Sequence, residues 1–165
     1  MEWSKYLLRC WELAKNSDCQ KMKFGSVIVL DDKMIGEGYN HAASYLLKDS
    51  CCLREGVKSG TKSELCNAVH AEQAAMINSH HHGQDDLSMT TLYVAGIFPD
   101  GKRLIKEEPG LYCSTCARLI AEEGINEIVV PTKQGEAKLS LGNVLGTAYQ
   151  FATGVKEIKY GKDSE

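Results

Sequence analysis

Two short segments contain residues that could bind a metal ion and transfer protons. The first, NAVHAEQAAMI at residues 67–77, places His70 and Glu72 two positions apart. The second, CSTC, places Cys113 and Cys116 three positions apart. Each pattern alone is weak evidence, because both arise by chance in a chain of this length. Each lies at the predicted first turn of a helix, however, and together they predict one metal site.

The three ligands indicate a particular use of that metal. Zinc binds imidazole nitrogen and thiolate sulphur, and catalytic zinc has three protein ligands with water in the fourth position. His70, Cys113 and Cys116 would supply those three ligands. The charges of two thiolates cancel that of zinc, so its water is acidified less than at a tris-histidine site and needs a base. Glu72, desolvated beside the metal, is the predicted catalytic acid and base.

The same residues have a structural interpretation. His70 would then be a buried core histidine, Glu72 an exposed first-turn acid, and the two cysteines buried thiols. The order and helix context of the two motifs favour the metal site.

The surrounding pattern predicts the elements that position these residues. Apolar residues at helical spacing predict helices at about 3–15 and 141–153, and Gly154 stops the second of these. Alanines and a methionine favour a helix at 69–79, and Gly124 at a C-cap position indicates another at 112–124. β-branched and alternating segments predict strands at 26–30, 34–40, 90–97, 127–131 and 155–160. Polar residues predict a loop over 41–66 and an insertion over 98–110. This order predicts an α/β fold in three α/β/α layers, with a mixed sheet between helices.

Composition limits the class of protein. A chain of 165 residues with 43% hydrophobic content predicts a single domain over residues 1–165. The net charge of −3 disfavours long nucleic acid as a partner, although one phosphate could still bind. No apolar run is long enough for a membrane helix, and the charged first fifteen residues do not resemble a secretory signal. Seven cysteines at irregular spacing favour reduced thiols or metal ligands, and we expect a cytoplasmic protein.

HAE at 70–72 and CSTC at 113–116 resemble the signature of the zinc-dependent cytidine and deoxycytidylate deaminase superfamily. Residues 24–40 are similar to the first hairpin of that family, and residues 52–72 to the approach to the zinc histidine in its deoxycytidylate branch. The resemblance implies a cytidine deaminase-like fold with a five-stranded sheet, one catalytic Zn²⁺ and a homo-oligomer. It also implies hydrolytic deamination of a cytosine nucleotide or nucleoside, foremost dCMP to dUMP with release of ammonia.

The resemblance also implies substrate contacts by Asn40, Ala71, Leu111 and Tyr112. Asn40 matches a position that touches the sugar, although an ordinary turn asparagine is an equal alternative. The carbonyl of Leu111 would face the leaving amino group. Tyr112 stands where the family usually has proline, and the insertion over 98–110 is longer than typical. Because of these two departures, the resemblance does not fix the identity of the substrate. The candidates for a phosphate contact are Lys21, Lys23, Arg54, Lys58 and Lys62.

Other interpretations stay open at this point. Tyr112 and the insertion are compatible with deamination of another amino-heterocycle, such as guanine or a pterin-like ring. A non-catalytic interaction module with zinc is a second alternative, although it would have no use for Glu72. Net acidity disfavours a deaminase of adenosine in RNA. A second, structural zinc would draw its ligands from Cys19, Cys51, Cys52, Cys66, His41 and His80 to His82.

Overall fold

The computed structural model describes residues 2–43, 52–57, 62, 65–111 and 113–154. Its helices are α1 (Lys5–Ala14), α2 (Ala71–His81), α3 (Ser114–Glu122) and α4 (Leu141–Thr153). Its strands are β1 (Lys23–Leu30), β2 (Lys33–Tyr39), β3 (His41–Ala42), β4 (Ala68–Val69), β5 (Thr91–Ile97), β6 (Arg103–Leu104), β7 (Glu127–Thr132) and β8 (Gly135–Ser140).

A mixed sheet with the strand order β2-β1-β5-β7-β8 forms the middle layer. Strand β1 pairs antiparallel with β2 and with β5, β5 pairs parallel with β7, and β7 pairs antiparallel with β8. The short β6 lies alongside the end of β5, and β3 and β4 form a separate two-stranded ladder before α2. Because of these directions, the start of β1 lies at the same end of the sheet as the ends of β2, β5 and β7.

Helices cover both faces of this sheet. The apolar face of α1 packs on one side, where Leu7, Cys10 and Trp11 meet Val27 and Ala95. On the other side a larger core joins α2, α3 and α4 to the sheet. The predicted three-layer α/β/α architecture with a mixed sheet is confirmed, with β6 as an additional short strand. Within the described residues, no helix is both long and apolar enough to cross a bilayer.

Local sequence explains where the helices begin and end. The Ser4 hydroxyl accepts a hydrogen bond from the amide of Leu7 at 3.3 Å and caps α1. Ser140 and Asn143 form a capping box that begins α4 directly after β8. Gly124 and Gly154, with φ of 72° and 71°, lie in the left-handed conformation just after α3 and α4. The two predicted helix stops are therefore confirmed.

Four regions differ from the sequence prediction or lie outside the described residues. His41–Ala42, at the start of the predicted loop 41–66, forms β3. Residues 135–140 form the edge strand β8, which the prediction did not include. The insertion at 98–110 contains β6 instead of being entirely irregular. The guanidinium of Arg103 lies 4.0 Å from the ring centre of Trp11, which attaches the insertion to α1. The strand predicted at 155–160 lies outside the described residues.

The position of α2 depends on two glycines of β2. A Cβ atom at Gly38 would lie 2.4 Å from the amide nitrogen of Ala75 and 2.6 Å from the carbonyl oxygen of Ala71. A Cβ atom at Gly36 would lie 2.4 Å from the carbonyl oxygen of Ala75. Only glycine allows the strand and the helix backbone to approach this closely. The first turn of α2, which contains Glu72, is thus held directly against the sheet.

We expect Gly38→Ala to destabilise the protein by about 2–3 kcal/mol, because the methyl group must displace the backbone of α2. The urea midpoint of unfolding measures this effect. Gly142→Ala is the matched control, since among the described residues, apart from its own helix backbone, a Cβ there would have only the Ser140 hydroxyl within 4 Å, at 3.9 Å. The control should be neutral or slightly stabilising in its helix. Equal midpoints for the two variants would contradict the close approach of α2 and β2.

Candidate metal centre and active site

His70 lies at the junction between β4 and α2. It is the N-cap residue of α2, with the extended backbone angles φ −76° and ψ 157°. Its amide donates a hydrogen bond to the side-chain oxygen of Gln73 at 2.9 Å. The Nδ1 atom of its ring lies 3.2 Å from the sulphur of Cys116, and its Nε2 atom lies 3.7 Å from the sulphur of Cys66. The ring therefore turns Nδ1 toward the cysteine pair.

The cysteine pair begins α3. Cys113 is the N-cap residue, and its sulphur accepts a hydrogen bond from the amide of Cys116 at 3.5 Å. Cys116 lies in the first turn of α3 and is fully buried, and its sulphur approaches the His70 ring. The first turns of α2 and α3 thus meet, and the positive ends of both helix dipoles lie at the same point.

The three side chains have the spacing of a metal site. The ligand atoms of His70, Cys113 and Cys116 all lie within 4.8 Å of one another. Two sulphurs bound tetrahedrally to zinc at about 2.3 Å are about 3.8 Å apart, so a small adjustment suffices. In the described part of the chain no other histidine, cysteine or acidic side chain belongs to this group. One nitrogen and two sulphurs therefore fit zinc with a position left for a small ligand.

Electrostatics couples the protons of these groups. A hydrogen bond with Cys113, and a second with Cys66, raise the pKa of His70 to about 11. A hydrogen bond with Cys116, and the contact with His70, lower the pKa of Cys113 to about 4. The same bond to Cys113, together with burial, raises the pKa of Cys116 well above its usual value. Zinc binding must displace the protons of His70 and Cys116, so zinc affinity falls as pH decreases.

Glu72 lies beside the metal ligands but is not one of them. Its side chain is only 6% exposed, and it hydrogen-bonds with Cys116. Burial raises the pKa of its carboxyl group. A carboxyl group with a raised pKa can both accept and return a proton near neutral pH. The buried position contradicts the alternative in which Glu72 is an exposed first-turn acid.

Asn40, one of the predicted substrate contacts, has a structural role. Asn40 is buried, and its side chain joins the end of β2 to the start of β1. Its oxygen accepts a hydrogen bond from the amide of Phe24 at 2.7 Å, and its nitrogen donates to the carbonyl of Met22 at 2.9 Å. This structural role leaves one amide proton for a ligand, so the sugar contact stays a prediction.

Ala71 and Leu111 flank the ligand cluster along the chain. Ala71 is the first residue of α2, and Leu111 is buried in the same core as Cys116. Their backbone groups thus come from segments that adjoin the metal ligands. Tyr112 lies outside the described residues, so its contact with the substrate stays a prediction.

Two of the candidates for a phosphate contact also make interactions within the protein, and their contact with a phosphate stays a prediction. The Lys21 ammonium donates to the carbonyl oxygens of Arg54, at 3.1 Å, and of Val57, which holds the turn at 52–57. The side chain of Arg54 hydrogen-bonds with Cys66. Lys58 lies outside the described residues, and the roles of Lys23 and Lys62 stay predictions.

The second zinc site is not formed by the residues that the structure describes. Their only cluster of suitable metal ligands is His70, Cys113 and Cys116. Cys66 contacts His70 instead, and the Nε2 atom of His80 pairs with Glu123 at 3.0 Å, which links α2 to the end of α3. Because Cys51 lies outside the described residues, the second zinc stays a prediction.

Sequence reasoning missed the contact of Cys66 with His70. Spacing gave no signal, because side chains four residues apart on an extended chain share a face but lie about 13 Å apart. The sequence alone indicates Cys66 only as a candidate ligand of the second zinc.

Comparison with known proteins gives a family and a fold. The family model described as "Cytidine and deoxycytidylate deaminase zinc-binding region" matches residues 1–132. The deoxycytidylate deaminase of Mycobacterium phage D29 is 33% identical over 138 residues, which cover 79% of this chain and 94% of the relative. The deoxycytidylate deaminase of Saccharomyces cerevisiae is 26% identical over 130 residues, which cover 77% of this chain but only 36% of the yeast protein.

A solved structure supports the fold. The dCMP deaminase of cyanophage S-TIM5, in complex with dCMP and dUMP, aligns with a TM-score of 0.56 over 89% of each chain. Sequence identity in this alignment is 18%. The three-layer arrangement of sheet and helices is therefore shared with that protein.

Proposed function

Because the chain belongs to the zinc-dependent cytidine and deoxycytidylate deaminase family, we propose that it hydrolyses deoxycytidylate to deoxyuridylate and ammonia. The observation that carries this proposal is the meeting of His70, Cys113 and Cys116 with the buried carboxyl group of Glu72 beside them. With these three protein ligands, the fourth coordination position of zinc would be taken by water, and Glu72 would be the proton carrier that hydrolysis requires.

Each residue has one part in the proposed reaction. Zinc held by His70, Cys113 and Cys116 would act as a Lewis acid that polarises water. Glu72 accepts a proton as the water oxygen forms a bond to C4 of cytosine, and it delivers that proton to N3. It then carries the proton of the new C4 hydroxyl to the amino group, so that the C4–N bond breaks, ammonia leaves and C4 becomes a carbonyl. The backbone carbonyl of Leu111 and the amide of Ala71 would orient the ring.

The relatives support a nucleotide as the substrate. The phage D29 relative, which the chain matches over nearly its whole length, is a deoxycytidylate deaminase. The solved structure of similar fold holds dCMP and dUMP. Asn40 would contact the sugar through its remaining amide proton.

The compartment and association state are further parts of the proposal. All the described cysteines are free thiols, which supports a reducing compartment such as the cytoplasm. Apolar side chains of Met34, Ile77, Met89 and Phe151 are exposed, which supports association of several copies into a homo-oligomer.

A substrate panel on zinc-loaded protein tests the proposed activity. We expect equal amounts of ammonia and dUMP from dCMP, and a higher kcat/KM for dCMP than for deoxycytidine, cytidine or guanine. A site that binds a substrate phosphate should disfavour the nucleoside, because its charged groups then lack a partner. No turnover of any cytosine compound, or a preference for guanine or a pterin, would reject the proposal.

A further inference from the structure

The His70 ring has a defined partner on each of its two nitrogens. Nδ1 lies 3.2 Å from the sulphur of Cys116, within the metal site. Nε2 lies on the opposite side of the ring, 3.7 Å from the sulphur of Cys66. A neutral imidazole carries a proton on one nitrogen and a lone pair on the other. If Nδ1 offers its lone pair to zinc, Nε2 must carry the proton, and the Nε2–H donates a hydrogen bond to the sulphur of Cys66.

Cys66 is not part of the metal site itself. The described ligand group consists of His70, Cys113 and Cys116, and Cys66 is not among its members. Its sulphur approaches the far side of the imidazole instead. Cys66 can therefore act on zinc only through His70.

The backbone fixes the segment between Cys66 and His70. Strands β3 and β4 pair His41 with Val69 and Ala42 with Ala68. The amide of Ala43 also donates to the carbonyl of Asn67 at 3.4 Å. These bonds tie the segment before α2 to the chain that follows β2. The distance between Cys66 and the imidazole is thus set by a ladder and not by one flexible loop.

Further hydrogen-bond donors lie near the sulphur of Cys66. They are the amide of Ala68 and the side chain of Arg54, in addition to His70. Lys21 holds the carbonyls of the turn that carries Arg54. Because its other neighbours are donors, the Cys66 sulphur acts as the acceptor of the hydrogen bond from the imidazole N–H.

We propose that Cys66 is a positioning residue for the zinc ligand His70. Its sulphur accepts a hydrogen bond from the Nε2–H, fixes the tautomer that leaves the Nδ1 lone pair free, and holds the ring plane toward the cysteine pair. Histidines that bind metals usually donate their second N–H to a carboxylate, a carbonyl or water, and such partners orient the ligand. Here a cysteine takes that place. The inference rests on the zinc site of the proposed function and is independent of the substrate.

Cys66→Ala tests this role through zinc affinity, measured by competition with a chelator, without any substrate. We expect the Kd for zinc to rise about 10- to 100-fold, the usual effect of removing such a partner. The absorption spectrum of the Co²⁺-substituted protein should change as well, because the imidazole orientation is no longer fixed. Cys66→Ser retains an acceptor oxygen and should bind zinc more tightly than Cys66→Ala.

Cys10→Ala is the matched control for loss of a cysteine. Cys10 is fully buried between α1 and the sheet, and its sulphur lies 3.4 Å from the carbonyl of Tyr93. This variant should lower the thermal midpoint but leave zinc affinity and the Co²⁺ spectrum unchanged. Wild-type zinc affinity and spectrum in Cys66→Ala would overturn the proposal, as would an equal loss of affinity in Cys10→Ala. A wild-type protein that binds zinc but deaminates nothing would reject the proposed function alone.

Discussion

Glu72→Gln is expected to lower kcat for dCMP by about 10²- to 10⁴-fold, with the upper end favoured because one carboxyl group transfers both protons. The amide of glutamine is nearly isosteric with the carboxyl group but cannot accept and return a proton. Because Glu72 is not a metal ligand, the variant should bind zinc as the parent does. Steady-state kinetics together with metal analysis of the same samples measures both effects.

The control for this variant is Glu122→Gln. Glu122 is exposed at the end of α3, so its replacement makes the same change from a carboxyl group to an amide, but away from the site. It should leave kcat and zinc content unchanged. Undiminished turnover by zinc-loaded Glu72→Gln would show that another group carries the protons, even if zinc remained essential.

Removal of zinc is expected to abolish deamination. Metal ions of this kind contribute several kcal/mol to the transition state, which corresponds to about 10³-fold or more in rate. Dialysis against a chelator followed by an activity assay measures the loss. The chelator should act more readily at lower pH, where His70 and Cys116 regain their protons more easily.

The choice of restoring metal provides the control for zinc removal. Added Zn²⁺ should restore activity, whereas Mg²⁺ should not, because one imidazole and two thiolates are poor ligands for a hard cation. Full activity of metal-free protein would contradict a metal-dependent reaction. Recovery with Mg²⁺ would place the essential ion at oxygen ligands elsewhere.

Helix N-termini explain why sequence alone located the centre of the site. His70 precedes a segment rich in alanine and methionine, and Cys113 precedes a segment that ends at the C-cap residue Gly124, so the sequence placed both at helix starts. In the structure each is the N-cap residue of its helix. An α/β/α layering brings the starts of α2 and α3 to one edge of the sheet, which makes the meeting of the two motifs predictable.

The parts that sequence did not predict depend on tertiary contacts. In the edge strand β8, exposed Glu136 and Lys138 alternate with the more buried Ala137 and Leu139, a pattern that the prediction did not use, and hydrogen bonds to β7 determine its structure. The hairpin of the insertion depends on pairing with β5 and on the contact of Arg103 with Trp11. No local pattern encodes either partner.

Two side chains at the site also make contacts that the local sequence does not indicate. Asn40 was assigned to a substrate from resemblance, whereas the structure shows its side chain joining two strands. Cys66 contacts His70 because the β3–β4 ladder positions the segment before α2. Both contacts join residues whose proximity follows only from the folded chain.

X-ray absorption at the zinc edge tests the central claim most directly, since it counts the atoms bound to the metal. The account predicts two sulphurs at about 2.3 Å, one imidazole nitrogen at about 2.0–2.1 Å and one oxygen from exchangeable water. Glu72→Gln should give the same spectrum. A third sulphur, or a second imidazole in the fourth position, would mean a closed structural site and would contradict deamination at this centre.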